Sequence, residues 1–326
     1  MNDLLTIMRA LADPTRLRIV FLVLRLELSV GELVQILGQS QPRVSRHVRI
    51  LDEAGILERR KEGSWVFMRP GTVLAVGKLN ALFAGTDVSQ AKAFQRDLAR
   101  LEEVRAARTD MAAAYFAAHA DQWDSLRSLH VAESEVEGAI SEILRLAPLG
   151  NVLDVGTGTG RMMELFAGSA DHFVALDNST EMLRLARAKL CNMDAAVAAK
   201  VDIMLGDFND LPLADAKFDT VIFHQVLHYA QHPEGVLAEA ARVLATHGRL
   251  IIVDFAAHDR EELRDVHAHA RLGFADELIA NAFGANGINL SRKVALDGGA
   301  LAVKVWLGHK HGQIAAAENS SLRIAS

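Results

Sequence analysis

The stretch Val152-Leu153-Asp154-Val155-Gly156-Thr157-Gly158-Thr159-Gly160 constrains the fold more than any other part of the chain. An aliphatic strand runs straight into glycines at three alternate positions, and residues 161–167 then read as a helix. Glycine permits tight turning and close backbone approach to a ligand. Strand, glycine loop and helix in this order therefore predict an open α/β sheet with a ligand at the carboxyl edge of its first strand. The sequence after Pro148 agrees, because short aliphatic runs at 151–155, 172–176, 201–205, 218–224 and 249–255 alternate with helical stretches. That is the pattern of a parallel sheet with crossover helices, and its last strands fall near 288–296 and 301–307.

The loop chemistry narrows the ligand. Its spacing is Gly-x-Gly-x-Gly rather than the Gly-x-Gly-x-x-Gly of dinucleotide sites, and a carboxylate at Asp154 repels a phosphate but suits a cationic or amine-bearing group. The second strand ends at Asp177, 17 residues after Gly160, where an acid can accept both hydroxyls of a ribose. Gly206-Asp207-Phe208, after the third strand, can meet an adenine by hydrogen bond and ring contact.

With these elements in order, residues from about 110 to 310 resemble a class I S-adenosylmethionine-dependent methyltransferase of the ubiquinone-biosynthesis type. The resemblance implies S-adenosylmethionine, or its product S-adenosylhomocysteine, as cofactor. The methionine part falls to Asp154, Gly156, Thr157, Gly158 and Gly160, the ribose to Asp177 with Asn178 and Met182 near it, and the adenine to Asp207 with Phe208; His224 borders the same site. Ala241–Leu244 to Gly248–Leu250 resembles the family's helix, turn and fifth strand. Tyr115-Phe116 with Trp123-Asp124 resembles its amino-terminal lid.

The amino-terminal part has a different grammar. Asp13-Pro14 marks a helix start, Ser29-Val30-Gly31-Glu32 fits a capping box, Gly38 ends that helix, and Ser40 caps another that carries Val44, Val48 and Leu51 on one face and stops at Gly55. Residues 56–60 and 64–69 flank Lys61-Glu62-Gly63 as a hairpin, which completes a winged helix-turn-helix. In such motifs the start of the second helix reads bases and nearby cations hold phosphates. The candidates are Ser40, Gln41, Arg43, Ser45, Arg46 and His47 on that helix, and Arg59, Arg60 and Lys61 in the wing. Ala10–Ile19, the reading helix and Arg59–Val66 closely resemble the arsenic-repressor (ArsR/SmtB) family over residues 3–70, which implies a homodimer on double-stranded DNA.

Charge and cysteine content bound the partners. Residues 1–86 carry 12 Lys/Arg against 8 Asp/Glu, a net of +4, while the remainder carries 23 against 33, so a polyanion partner is expected at the amino-terminal end. Ser29 and Gly31 occupy the stretch where the family's thiolate sensor has cysteines, Val88–Arg108 has no histidine for the family's other metal site, and Cys191 is the only cysteine. No metal is expected, nor is a disulfide framework or an arsenic-binding thiolate cluster. No membrane span or signal peptide is evident, and the cytoplasm is the expected compartment.

Methyl transfer at a sulfonium needs a base only when the acceptor is protonated. The candidates near the expected active edge are His224, His228 and His267, with His269 beside the last, and each also reads as a core or surface residue. The Asn/Asp-Pro-Pro-aromatic tetrad of amino-methylating DNA enzymes is absent, Phe223-His224-Gln225-Val226 standing in its place.

The expected architecture is mixed. An α+β winged helix-turn-helix spans 1–86, a helical dimerisation segment and cofactor lid 87–146, a Rossmann-like α/β methyltransferase domain 147–310, and a tail 311–326. Two functions fit: a DNA-binding regulator whose second domain senses the ligand, and an active small-molecule methyltransferase governed by its amino-terminal domain.

Overall fold

Asp13 accepts hydrogen bonds from the amides of Thr15 and Arg16 and so starts the second helix at Pro14, as its sequence predicts. The computed structural model describes residues 2–62, 65–71, 92–119, 133–297 and 301–311. Chain contacts divide it into two units. One is Met1–Gln122 with His228–Pro233 and Ala257–Phe274; the other is Trp123–Leu227 with Glu234–Ala256 and Ala275–Ser326.

The first unit contains α1 (Asn2–Leu11), α2 (Pro14–Val23), β1 (Leu28–Ser29), α3 (Val30–Leu37), α4 (Gln41–Glu53), β2 (Leu57–Glu62), β3 (Trp65–Pro70) and the long α5 (Lys92–His119). The capping box at Ser29 and Glu32 is present, and α3 ends on Gly38 in the left-handed conformation at φ 64°. Ser40 occupies the N-cap of α4, but its side chain makes no capping bond there. The three short strands pair as β1-β3-β2, all antiparallel. Ile19, Leu33, Ile36, Val44, Val48, Leu51 and Met68 form one apolar core with Leu101 and Val104 of α5. Burying such a side chain contributes about 1.5–3 kcal/mol, so α5 is an integral wall of this core.

The second unit is a seven-stranded sheet. Its strands are β4 (Asn151–Val155), β5 (His172–Asp177), β6 (Val201–Leu205), β7 (Phe218–His224), β8 (Leu244–Phe255), β9 (Ile288–Asp297) and β10 (Ala302–Lys310), in spatial order β6-β5-β4-β7-β8-β10-β9. The first five run parallel to one another, and β10 runs antiparallel to both β8 and β9. Connecting helices are α6 (Glu133–Leu144), α7 (Arg161–Phe166), α8 (Thr180–Cys191) and α9 (Pro233–Val243); α10 (Glu262–His267) belongs to the first unit and α11 (Asp276–Ala285) to the second.

β8 begins at Leu244, five residues before the start expected from its aliphatic run. A register shift against β7 and a left-handed His247 (φ 65°) absorb the polar residues Thr246 to Arg249 within the strand. Arg249 itself is buried and donates to Thr220 Oγ1 and to the carbonyls of Leu144, Ala147 and Pro148, satisfying the end of α6.

Candidate cofactor loop and nucleic-acid interface

In the second unit the strand order places β4 between β5 and β7, so the loop leaving Val155 lies at the point where the strand order reverses. Open α/β sheets bind their ligands at that edge. Gly156, Gly158 and Gly160 take left-handed φ values of 70°, 55° and 85°. A β-carbon on Gly156 would stand 2.2 Å from Val226 Cγ2, so that position requires glycine, while at Gly160 the left-handed backbone rather than the movable end of Met163 favours it.

Four of the loop amides are already committed. Gly156 and Thr157 both donate to the carbonyl of Leu176 (2.8 and 2.9 Å), Gly158 donates to Asp177 Oδ2 (2.8 Å) and Gly160 to the carbonyl of Thr157 (2.9 Å). A phosphate cradle needs amides that point at the ligand, so this loop is built for another kind of group. The Thr157 hydroxyl oxygen is buried without a hydrogen-bond partner among the described residues, a polar atom that a ligand can satisfy. Asp154 is fully buried beneath the loop.

Asp177 does more than its sequence position suggests. Its two oxygens accept from Gly158 N and from Ser179 N (2.9 Å), so one side chain holds both the glycine loop and the start of α8. Burial pushes its carboxyl above the usual range, against the pull of those amides. Each carboxylate oxygen retains a lone pair for a hydroxyl. Asn178 is exposed beside it, and Met182 is buried on α8. Asp207 is exposed after β6 and accepts from the amide and side chain of Asn209 (2.9 and 2.7 Å); Phe208 is half-buried. His224, buried, ends β7. Gln225 follows in a left-handed conformation at φ 52°, a strained geometry for a residue with a side chain.

Arg161, the first residue after the loop, makes a two-pronged ion pair with Glu137 of α6 (2.6 and 2.8 Å), and that hydrogen bonding raises its pKa further. Nothing in the local motif marks Glu137. Only its spacing with Val136, Ile140 and Ile143, which are buried, places it on a helix.

In the first unit, α4 buries Val44, Val48 and Leu51 and leaves Gln41, Arg43 and Arg46 exposed, with Ser45 and His47 half-buried. His47 Nδ1 lies 3.8 Å from Asp13 Oδ1. Burial lowers the His47 pKa most; Asp13 opposes this, while Arg16, Arg43 and Arg46 reinforce it, so the imidazole is neutral at pH 7. Arg59 is paired with Asp52 at 3.0 Å, so a phosphate must compete for it. Arg60 and Lys61 lie on β2, their side chains outside the described residues, as are Gly63 and Ser64.

The remaining histidine candidates divide between the units. His228, His267 and His269 belong to the first unit, apart from His224. The rings of His228 and His269 lie 4.1 Å apart, tilted by 35°, with Tyr229 and Phe116 beside them; burial, then the charge of His119, lowers the pKa of His267. Of the expected lid, Phe116 thus packs within the first unit, while Trp123, Asp124 and the side chain of Tyr115 lie outside the described residues. No group of three or more His, Cys, Asp or Glu among the described residues is arranged to hold a metal ion.

Comparison with known proteins matches both halves. Residues 13–59 match the family described as "Bacterial regulatory protein, arsR family", and residues 153–252 match "Methyltransferase domain". The chain joins an ArsR-type helix-turn-helix region to a methyltransferase domain. The Arsenical resistance operon repressor of Escherichia coli K12 is 52% identical over 62 residues, 19% of this chain and 53% of that protein. The Ubiquinone/menaquinone biosynthesis C-methyltransferase UbiE of Ectopseudomonas mendocina is 31% identical over 146 residues, 43% of this chain and 56% of that protein. The chain thus spans about half the length of the curated relatives it matches. A chain from the Haloferax volcanii complex between a methyltransferase activator and a methyltransferase shares the fold, with a TM-score of 0.51 at 20% identity over 60% of this chain and 98% of that one. Among the described residues no helix is long and apolar enough to cross a membrane.

Proposed function

We propose that the chain is a transcriptional regulator that binds DNA through its ArsR-type region and uses its methyltransferase domain as the receptor for S-adenosylmethionine or S-adenosylhomocysteine. One observation carries this reading. A reading helix with Gln41, Arg43 and Arg46 turned outward coexists, in one chain, with a glycine loop whose amides are spent on the fold and whose carboxylates suit an amine and a ribose. In this reading Ser40, Gln41, Arg43, Ser45 and Arg46 contact bases or phosphates, with His47 and Arg59–Lys61 beside them. The loop 154–160 holds the amino-acid end of the ligand, Asp177 the ribose and Asp207 with Phe208 the adenine. The protein acts as a cytoplasmic homodimer on a palindromic site with half-sites about one helical turn apart.

A sensor needs a ligand that binds the DNA-competent and DNA-incompetent states unequally, since equal binding shifts nothing. The test is to select duplexes from a random library with the full chain, then titrate the winner at fixed salt with and without each ligand. A change in DNA affinity of about tenfold is expected, within the usual range of allosteric coupling. If neither ligand moves it, the sensing role is wrong.

A second reading, an active small-molecule methyltransferase, is favoured by the likeness to a C-methyltransferase and by the buried His224 at the end of β7. When bound, S-adenosylmethionine supplies an electrophilic methyl group. The chain would orient it through Asp177 and the loop, and His224 would take a proton from the acceptor. Transfer of labelled methyl groups to small molecules of a cell extract tests this reading.

A further inference from the structure

Helix α3, the first of the helix-turn-helix pair, is gripped at both ends by α5. Arg100 donates to the carbonyl of Ile36 at its carboxyl end (2.8 Å), and Arg108 donates twice to Glu32 Oε1 (2.9 and 2.5 Å) at its amino end. The other oxygen of Glu32 completes the capping box, accepting from the amide and hydroxyl of Ser29 (2.7 and 2.9 Å). A single carboxylate therefore holds the start of α3 and answers to Arg108.

Arg108 has further partners. It reaches the carbonyl of Glu27 (3.3 Å) and Oε1 of Gln231 (3.4 Å). Gln231 in turn gives its carbonyl to Arg271 (2.7 Å), and Arg271 pairs with the Glu27 carboxylate (2.9 Å) while its amide donates to the carbonyl of His228 (2.9 Å). The Arg271 side chain is 4% exposed, so this pair is shielded from solvent and salt. Glu27, Glu32, Arg108, Gln231 and Arg271 thus form one network inside the first unit.

Two of its members come from excursions of the chain that return to the sheet. Gln231 lies in 228–233, which follows β7, and Arg271 in 257–274, which follows β8. The first excursion is short. Five residues before Gln231, Val226 stands against Gly156 closely enough to exclude a β-carbon, and Gln225 before it is held in a strained conformation. A shift of Gly156 toward Val226 therefore presses on that side chain, and the next residues of the chain end in the network.

We infer that Arg108 and Arg271 are positioning residues that transmit ligand occupancy of the glycine loop to α3, through Val226, Gln231 and the carboxylates of Glu27 and Glu32. This rests on the sensing role proposed above and assigns its route. Neither arginine lies in the ligand loop or on the reading helix.

The test uses the full chain, the selected duplex, and S-adenosylmethionine and S-adenosylhomocysteine. In Glu27→Gln/Gln231→Ala, both links to the excursions are weakened while the Arg108 grip on Glu32 stays. The ratio of DNA affinities with and without ligand is expected to collapse to within about twofold of one, while ligand affinity stays within about threefold of wild type. Arg100→Ala loosens α3 at its other end, without contacting an excursion, and should leave the ratio at the wild-type value. A merely structural role for the network predicts that both variants behave alike. A wild-type ratio in Glu27→Gln/Gln231→Ala overturns the route but leaves the sensor intact. If the wild type itself shows no ligand effect on DNA, the sensing role falls, and hydrogen exchange of the Val30–Leu37 amides then judges the route. Ligand-dependent slowing in wild type that the double variant lacks upholds it; no ligand-dependent change in wild type overturns it.

Discussion

The proposed DNA-reading surface and the proposed cofactor loop use charge in opposite settings. On α4 the arginines are exposed and stand over an apolar core, where their field acts through water and is screened by salt. Around the loop, Asp154 and Asp177 are buried, and Asp177 accepts from the amides of Gly158 and Ser179. The first surface can be altered residue by residue with graded loss. The second is a shape in which each group also builds the fold, so function and local stability fail together.

The sharpest way to break that contrast is Gly156→Ala. The added methyl meets Val226 at 2.2 Å in a left-handed backbone, so overpacking and strain are expected to cost about 2–4 kcal/mol and abolish ligand binding. A thermal melt followed by calorimetry reads both, and a wild-type melt with intact binding removes the claim that the loop is rigid. Asp177→Asn should weaken ligand binding about 10–100-fold, the worth of charged hydrogen bonds, while DNA binding without ligand persists. Asn is the better probe than Ala, which strips two amides of their acceptor.

Arg46→Ala sharpens the other side. It should weaken binding of all duplexes and lower the slope of log affinity against log salt by about one if its partner is a phosphate. An unchanged slope with altered sequence preference moves Arg46 to base reading. Ser29→Ala removes half of the capping box and is expected to cost about 1 kcal/mol by denaturant titration.

The smallest effect is a pH dependence. Because the folded His47 pKa is depressed, the unfolded chain takes up the proton first as pH falls. The first unit should lose stability as pH drops below about 6.5, the unfolded value, toward the lower folded one, and gain nothing above it. His47→Gln should flatten that part of the profile.

Legibility followed sequence distance. The capping box, the glycine loop and the parallel strands were readable because each is decided by residues a few positions apart, and β5, β7 and β10 fall within a few residues of their expected bounds. The beginning of β8 was not, because His247 makes a left-handed turn that no strand pattern encodes. Nor were the arginines that matter most to α3. Arg108 meets Glu32 across 76 positions and Arg271 meets Glu27 across 244, and an arginine's spacing carries no trace of a partner that far away. The double duty of Asp177, as loop anchor as well as ribose candidate, is likewise visible only once Gly158 has folded back against it.

That the first unit draws on His228–Pro233 and Ala257–Phe274 bears on how the protein is made. Domains generally fold as the chain emerges from the ribosome, amino-terminal end first. Here the helices proposed to read DNA are synthesised early, yet Glu27 waits until Arg271, 244 positions later, has been translated. β10, which lies between β8 and β9, comes later still. A nascent chain therefore carries its proposed reading helix long before the network proposed to govern it can be completed.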